Sequence, residues 1–175
     1  RKAIAGHYDF SNEFYLSFMD PTRCYSQAIF ADDAEHLESA QRRKLDFAID
    51  ACRMKAGDRV LDVGGGWGSF TEHAGRRGIQ VTSLTISKQS EIYLADLIAR
   101  QQLPCQVLNR DFWEHTTPEP YDAIVILGVM EHLPDYPAVL KQLQQLLKPG
   151  GRVYLDASAF REKYSKPSYV SRYIF

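Results

Sequence analysis

The sequence predicts an α/β fold in which a doubly wound, mostly parallel sheet carries helices on both faces. After residue 57, short apolar runs typical of buried strands alternate with segments of helical periodicity. Alternation at this spacing favours parallel strands joined by covering helices. A glycine-rich run, "VGGGWG" at 63–68, directly follows the first of these strands. In such sheets a ligand binds beyond the carboxyl ends of the strands, where the strand order reverses.

The residues before the first strand are predicted to form two helices. The segment "YDFSNEFYLSFMD" at 8–20 is rich in aromatic residues, with Ser11 as its N-cap and Pro21 as the residue that ends it. Between 35 and 52, apolar residues recur at helical spacing with charges between them, which predicts an amphipathic helix. Both helices are expected to form a lid or added layer, 1–56. That layer belongs to one domain, 1–175, whose core is 57–175.

The core elements follow in order along the chain. Gly57 and Asp58 turn the chain into a first strand, and Gly78 ends the helix that follows the glycine run. Ser87 caps the next helix, and "KPGG" at 148–151 stops the last helix and turns the chain into the last strand. The predicted strands are 59–64, 79–86, 105–111, 121–128 and 152–158, and the predicted helices are 70–77, 88–102 and 137–147.

Composition disfavours several classes of protein. With 21 basic and 22 acidic residues the net charge is −1, unlike the strongly basic surface of a nucleic-acid-binding protein. No apolar run approaches the ~20 residues that span a bilayer, and no signal-peptide pattern is seen at the N-terminus. Three widely spaced cysteines favour reduced thiols and a cytoplasmic location. No histidine and cysteine cluster has metal-ligand spacing, so no metal is expected. Four histidines are expected at solvated or loop positions: His7, His36, His73 and His115.

The glycines indicate a nucleotide-type ligand. Gly64, Gly66 and Gly68 stand after a strand and before a helix, where they allow a tight turn and a close approach to a ligand. Their G-x-G-x-G spacing is one residue shorter than the fingerprint of dinucleotide-binding enzymes. The second strand ends in "LTISKQS", without the acid that binds the ribose of NAD about 20 residues after the loop. These two differences favour S-adenosylmethionine over NAD.

Six stretches, "GHYDFSNEFYLSFMDPTRCYSQAIF", "HLESAQRRKLDFAID", "VLDVGGGWGSF", "SLTISKQS", "ILGVMEHLPDY" and "RYIF", carry a wider resemblance. Together they resemble the cyclopropane fatty acid and mycolic acid cyclopropane synthase family of S-adenosylmethionine-dependent methyltransferases. The resemblance covers essentially the whole chain. It implies a Rossmann-like class I methyltransferase fold with an N-terminal helical lid. Because the family continues past "RYIF" and both ends look cut, a C-terminal part is expected to be missing.

The resemblance implies which residues bind S-adenosylmethionine, whose product is S-adenosyl-L-homocysteine. Tyr25 and Ser26 match the pair that closes over the methionine part. Gly64 and Gly66 line its other side, with Gly65 where cysteine is common. The methyl donor is expected beside a residue at the end of the fourth strand, Leu127.

The ribose and the adenine have their own matches. The segment that takes the ribose in place of an acid matches Thr85 and Ile86, followed by a family glutamine that falls on either Gln89 or Ser90. The adenine is expected against Asp111, Phe112 and Trp113. Apart from the resemblance, Trp113 offers a flat apolar face and Asp111 an acceptor for the exocyclic amine.

The catalytic residues are expected just past the fourth strand. "GVMEHLPDY" places Glu131 and His132 at the mouth of the cleft, and in the family this glutamate helps to hold a bicarbonate that serves as the base. Gln27 stands where the family's "YSCAYF" has cysteine, and Asp156 where it commonly has histidine. A carboxylate beside Glu131 should repel an anion or keep one acid protonated, which disfavours bicarbonate. Asp156 or Glu131 is then the expected proton acceptor, and His132 is expected to be catalytic or to orient the loop.

The expected activity is methyl transfer to carbon of an unsaturated acyl, lipid-like or otherwise apolar substrate, with transient contact to a membrane surface. The product is expected to be a cyclopropane or a methyl or methylene branch. One alternative is a small-molecule N-methyltransferase, whose cationic amine the acids would attract. Others are a methyltransferase domain of a larger biosynthetic assembly and a module that holds the cofactor without turnover. No nucleic-acid partner is expected.

Overall fold

The computed structural model describes residues 11–133 and 135–158. Three features of the sequence lie outside them: His7, the first three residues of the predicted helix 8–20, and the "RYIF" stretch of the family resemblance. Within the described residues, no helix combines the length and the apolar character that crossing a membrane requires.

Five parallel strands form one sheet with the order β3-β2-β1-β4-β5. The chain therefore winds outward from β1 in both directions, which confirms the predicted doubly wound sheet. The strands are β1 (Arg59–Val63), β2 (Gln80–Thr85), β3 (Gln106–Asn109), β4 (Tyr121–Leu127) and β5 (Leu147–Asp156).

Among the described residues, five α-helices and two short 3-10 helices connect or precede these strands. The α-helices are α1 (Asn12–Leu16), α2 (Leu37–Cys52), α3 (Ser69–Gly75), α4 (Lys88–Gln101) and α5 (Tyr136–Leu146). The 3-10 helices are Phe112–Glu114 and Met130–His132.

Two hydrophobic clusters cover the two faces of the sheet. Consecutive strand residues point to opposite faces, so Val60 and Leu61 belong to different clusters. Val60 and Val125 pack with residues of α2 and α3 on one face. Leu61 and Ile126 pack with residues of α5 on the other. The strands are therefore buried on both faces, as their near-continuous apolar sequence predicts.

The two described N-terminal helices pack on different parts of the domain. Leu45, Ala48 and Ile49 of α2 are buried in the first cluster, so α2 is an added layer of the core. In contrast, α1 packs on the glycine-rich loop through Tyr15, whose ring centroid lies 4.3 Å from that of Trp67.

The first helix is shorter than predicted. Ser11 is its N-cap and accepts a hydrogen bond from Phe14 N at 3.3 Å, as expected. The helix nevertheless ends at Leu16, well before Pro21. Ser17 Oγ donates to Phe14 O at 2.7 Å. A serine hydroxyl in this position competes with backbone N–H groups for the carbonyl groups of the last turn, which favours the end of the helix.

The "KPGG" segment is a second correction, because it lies inside β5 rather than in a turn before it. Tyr121 pairs with Leu147 and Ala123 with Arg152, so residues 148–151 bulge out opposite Asp122. The bulge is held by Lys148 Nζ, which donates to Asp122 Oδ1 at 2.7 Å. The third strand is also shorter than the predicted 105–111, because the chain leaves the sheet after Asn109.

Two histidines expected at solvated or loop positions are largely buried and hydrogen-bonded. His115 Nε2 lies 3.0 Å from Tyr121 Oη, and His73 Nε2 lies 2.7 Å from Asp46 Oδ1. Burial lowers the pKa of both imidazoles below its ordinary value. They therefore have structural roles that an inspection of isolated residues did not reveal.

Candidate active site

A cleft of about 440 Å³ opens at the carboxyl ends of the strands, beside the reversal of strand order at β1. Its walls come from the ends of β1, β2 and β4, from the segment after β3, and from residues 23–26. Twelve of the sixteen predicted site residues line it: Tyr25, Ser26, Gly64, Gly66, Thr85, Ile86, Ser90, Asp111, Phe112, Trp113, Leu127 and His132. Stretches far apart in sequence thus converge on one concave surface.

The glycine-rich loop forms one wall of the cleft. The N–H groups of Gly64 and Gly65 both donate to Leu84 O, at 3.0 and 2.9 Å, which holds the loop against the end of β2. A Cβ on Gly66 would meet nothing closer than Gly64 O at 3.9 Å, so a side chain there would take up open space at the cleft. A Cβ on Gly65 would lie 1.7 Å from Ser83 Oγ, so Ser83 occupies the space of the cysteine expected in the family.

The phase of α4 places Ser90, rather than Gln89, at the cleft. Ser90 is buried, lines the cleft, and donates from Oγ to Gly66 O. Gln89 is exposed and does not line the cleft; its backbone carbonyl accepts from Asn12 Nδ2 at 3.2 Å. One residue along a helix rotates the side chain by about 100°, which is enough to turn it away from the cleft.

The segment after β3 is rigidly connected to the rest of the domain. Asp111 Oδ1 accepts from Trp113 N at 2.9 Å and caps the short helix. Gln142 Nε2 of α5 donates to the carbonyls of Phe112 and His115, at 3.2 and 2.8 Å. Phe112 is buried, whereas the Trp113 side chain is 37% exposed at the cleft, so its ring is accessible to a ligand.

Aromatic side chains form a rim of the cleft beside the glycine-rich loop. Tyr25 lines the cleft and is 43% exposed, and its ring contacts those of Tyr15, Phe18 and Trp67. Trp67 Nε1 donates to Asn12 Oδ1 at 3.0 Å, which connects the glycine-rich loop to α1. Phe14 and Phe18 remain more than half exposed beside this rim. The rim is therefore apolar and accessible.

Three predicted catalytic residues, Gln27, Glu131 and Asp156, lie outside the cleft lining. Asp156 Oδ1 accepts from Gly128 N at 2.7 Å, whereas its Oδ2 is buried without a hydrogen-bond partner among the described residues. Burial raises the pKa of Asp156, and Glu131 acts in the same direction. Glu131 Oε1 accepts from Ser158 N. The two carboxylates therefore interact behind the part of the cleft that Gly128 lines.

Gln27 contributes to this region through its backbone. Its side chain is exposed, and its carbonyl accepts a hydrogen bond from Lys44 Nζ at 2.7 Å. Lys44 is a buried residue that sequence reasoning missed, because a lysine in an amphipathic helix was assigned to the polar face. The signal was its spacing: Lys44 stands four residues from both Ala40 and Ala48, which are buried.

Asp62 is a second residue that sequence reasoning missed. It lines the cleft beneath the glycine-rich loop and accepts from Thr71 Oγ1 at 3.1 Å and from Ser83 Oγ at 3.4 Å. Burial raises the pKa of Asp62 to about 6, although both hydroxyl groups oppose the shift. The signal was a lone acid inside the apolar strand "RVLDV", directly before the glycines.

Comparison with known proteins identifies the relatives of this chain. A family model described as mycolic acid cyclopropane synthetase matches residues 1–175. Tuberculostearic acid methyltransferase UfaA1 of Mycobacterium tuberculosis is 32% identical over 171 residues, covering 90% of this chain and 39% of that protein. The chain spans about half the length of the curated relatives it matches or less.

Two solved structures share the fold and contain the same small molecule. The mycolic acid cyclopropane synthase CmaA1 complexed with SAH (S-adenosylhomocysteine) and CTAB has a TM-score of 0.80 at 32% identity, over 88% of this chain and 55% of that chain. Coclaurine N-methyltransferase bound to N-methylheliamine and SAH has a TM-score of 0.83 at 25% identity, over 88% of this chain and 45% of that chain.

We predict that Asp62→Asn removes a component of the pH dependence of stability. A carboxyl whose folded pKa is raised stabilises the fold below its unfolded pKa, near 4, and this contribution is lost as pH rises through about 6. The free energy of unfolding of Asp62→Asn, relative to the parent, should therefore increase from pH 4.5 to 7.5, by up to about 3 kcal/mol.

Urea unfolding at four pH values in this range measures the difference. The control is Asp96→Asn, which removes an exposed carboxylate of α4 instead of a buried one. Parallel stability curves for the parent and Asp62→Asn would contradict the prediction.

Proposed function

Because the chain belongs to the mycolic acid cyclopropane synthetase family, we propose that the full-length protein transfers a methyl group from S-adenosylmethionine to a carbon atom of an unsaturated acyl chain or a similarly apolar substrate. The observation that carries this proposal is the convergence of the predicted residues on one cleft with an aromatic rim. The cleft lies at the reversal of strand order, where open α/β sheets bind their ligands.

The residues present fit S-adenosylmethionine. Gly66 leaves open space along the loop, and Trp113 offers a partly exposed ring to an adenine. Tyr25 and Ser26 also line the cleft and would face the methionine part. When bound, S-adenosylmethionine supplies an electrophilic methyl group. The protein then contributes alignment and exclusion of water, and alignment alone can supply ~7–11 kcal/mol.

The aromatic rim suits an apolar acceptor. Tyr25, Phe14 and Phe18 present exposed ring surface beside the cleft, against which an acyl chain could pack. Methylation of a double bond forms a new carbon–carbon bond from the π electrons and leaves a positive charge on the neighbouring carbon. Ring faces attract such a charge, so the same side chains would bind the acceptor and stabilise the cation.

A base must then remove a proton from that cation, and we propose Asp156, with Glu131 beside it. Asp156 does not line the cleft, but its Oδ2 is buried without a hydrogen-bond partner among the described residues, so it has a lone pair for a proton that would reach it past Gly128. Removal of a proton from the added methyl group would close a cyclopropane, whereas removal of another proton would leave a branch. Bicarbonate does not fit, because Asp156 and Glu131 would repel it.

A second candidate function is N-methylation of a small amine. The same carboxylates, Asp156 and Glu131, would attract a cationic amine and accept its proton. A solved N-methyltransferase, coclaurine N-methyltransferase, has the same fold. We also propose a cytoplasmic location and transient contact with a membrane surface. A further alternative is that the chain is a methyltransferase domain of a larger biosynthetic assembly.

Methyl-label partitioning with the full-length protein tests the proposed reaction. Methyl-labelled S-adenosylmethionine is offered with vesicles of unsaturated phospholipid and with a panel of free amines, and the products are extracted into organic and aqueous phases. Label in the lipid supports carbon methylation, and proton NMR distinguishes a cyclopropane from a branch. Vesicles of saturated phospholipid are the control and should stay unlabelled. Label in amines alone supports the second candidate, and no transfer contradicts both.

We predict that Gly66→Ala weakens S-adenosylhomocysteine binding about ten-fold or more. The added methyl group takes up space at the cleft, and overpacking typically costs about 1–3 kcal/mol. Calorimetric titration measures the affinity. Gly57→Ala is the matched control, because Gly57 also has open space around its Cβ position and a positive φ but does not line the cleft. Equal affinities for the two variants would contradict the assignment of Gly66.

We predict that Asp156→Asn lowers the turnover rate about 100-fold or more, the lower end of the contribution of a general base. The Asn Oδ1 still accepts from Gly128 N, so the loop keeps its anchor and affinity for S-adenosylhomocysteine should change little. Single-turnover kinetics with the acceptor identified by labelling measures the rate. Glu131→Gln is the companion variant: a larger loss there would assign the base to Glu131, and full activity of both would exclude the carboxylate pair.

A further inference from the structure

Lys44 places a buried ammonium group directly behind the segment that lines the cleft. Its side chain projects from α2 and the residue is only 1% exposed. Nζ donates to Ser26 Oγ and to Gln27 O, both at 2.7 Å. Lys44 itself does not line the cleft. Its hydrogen bonds are instead to Ser26, which lines the cleft, and to the next residue, Gln27.

A second side chain of α2 holds the same segment. Gln41, one helical turn before Lys44, is 2% exposed and donates from Nε2 to Ser26 O at 2.8 Å. Three polar atoms of residues 26 and 27 are thus bonded to one rigid helix. Ser26 also packs closely on the end of β4, since a Cβ on Gly128 would lie 3.3 Å from Ser26 Cβ.

Charge connects this anchor to the proposed base. Burying an ammonium group is costly unless it is hydrogen-bonded and near an opposite charge. Lys44 interacts favourably with Asp156 and lowers its pKa, against the effect of burial. The Gly128 N–H that Asp156 accepts belongs to the residue on which Ser26 packs. Lys44 and Asp156 therefore hold neighbouring parts of one wall of the cleft.

We propose that Lys44 is a positioning residue for the methyl transfer: its ammonium group orders Tyr25 and Ser26 on the cleft and provides the countercharge that Asp156 needs. This inference rests on the proposed function. Helix α2 is then more than a layer of the core, because its buried polar face sets the position of two residues expected to contact the cofactor.

Binding of S-adenosylhomocysteine to the full-length protein tests the positioning directly. Trp67 and Trp113 both line the cleft, so their fluorescence reports occupancy without a turnover assay. Lys44→Met fills a similar volume without charge or donor. We expect it to weaken binding about ten- to hundred-fold, the range that losing hydrogen bonds from a charged donor produces. Lys141→Met, which removes an exposed lysine of α5, is the matched control and should bind as the parent does.

A double-mutant cycle separates positioning from loss of stability. Ser26→Ala removes one acceptor of Lys44, so the losses for Lys44→Met and Ser26→Ala should not multiply in the double variant. Affinities are compared where circular dichroism shows every variant folded. Should Lys44→Met fail to fold, Lys44→Gln, which keeps an amide donor, supplies the comparison and should show a smaller loss in affinity. Parent-like affinity of a folded neutral variant would overturn the proposal.

The pH profile supplies a readout that a purely structural lysine would not change. The groups acting on Asp156 are Lys44 from α2, Glu131 and the Gly128 N–H from beyond β4, and Tyr154 on its own strand. Without Lys44 the pKa of Asp156 should rise, so the acidic limb of the rate profile should move to higher pH in Lys44→Met. An unmoved limb overturns the countercharge role. If the parent does not bind S-adenosylhomocysteine, the proposed function itself fails, which is a distinct result.

Discussion

The pairing of β1 with both β2 and β4 is the constraint on which the rest of the site depends. Val63, the last residue of β1, pairs with Leu84 on one side and Ile126 on the other. Because the chain winds away from β1 in both directions, no connection crosses the carboxyl ends of these strands, and a gap opens there. The glycine-rich loop enters this gap and is held by Leu84 O. The other walls of the cleft come from segments that follow the neighbouring strands and from residues 23–26.

Three ionisable side chains support these walls: Lys44 and Asp62 are buried and Asp156 is half-buried, and burying charge is costly. Asp62 accepts hydroxyl groups from α3 and β2 beneath the glycine-rich loop. Lys44 donates to residues 26 and 27, and Asp156 accepts from Gly128. Asp62 itself lines the cleft, whereas Lys44 and Asp156 each bond to a residue of another part of the lining, Ser26 and Gly128. The costly burial of these three groups thus occurs where their hydrogen bonds order the loops that a ligand would contact.

The sequence predicted the architecture well because strand and helix periodicity are local properties. The apolar sequence around Val60 and Leu61 indicates a strand that is buried on both faces. In the same way, the sequence around Ser87 indicates a helix cap. The ends of helices were harder to predict, because side chains compete with the backbone for hydrogen bonds there. Ser17, at the end of the first helix, is an example. The glycine pattern alone indicated only a nucleotide-type ligand, and most site residues came from the family resemblance. Lys44 and Ser26 meet only through the tertiary fold, so no local pattern could pair them.

The charges around Asp156 also bear on the proposed chemistry. Lys44 contributes one positive charge, and Asp156 and Glu131 contribute two negative charges when both are ionised. An anion placed there would add to an existing excess of negative charge, whereas a developing positive charge would reduce it. Methylation of a double bond and methylation of an amine both leave the acceptor positively charged before a proton departs. Under the proposed function, an aspartate at position 156, where the family resemblance expects histidine, would therefore favour a cationic intermediate over a bound anion.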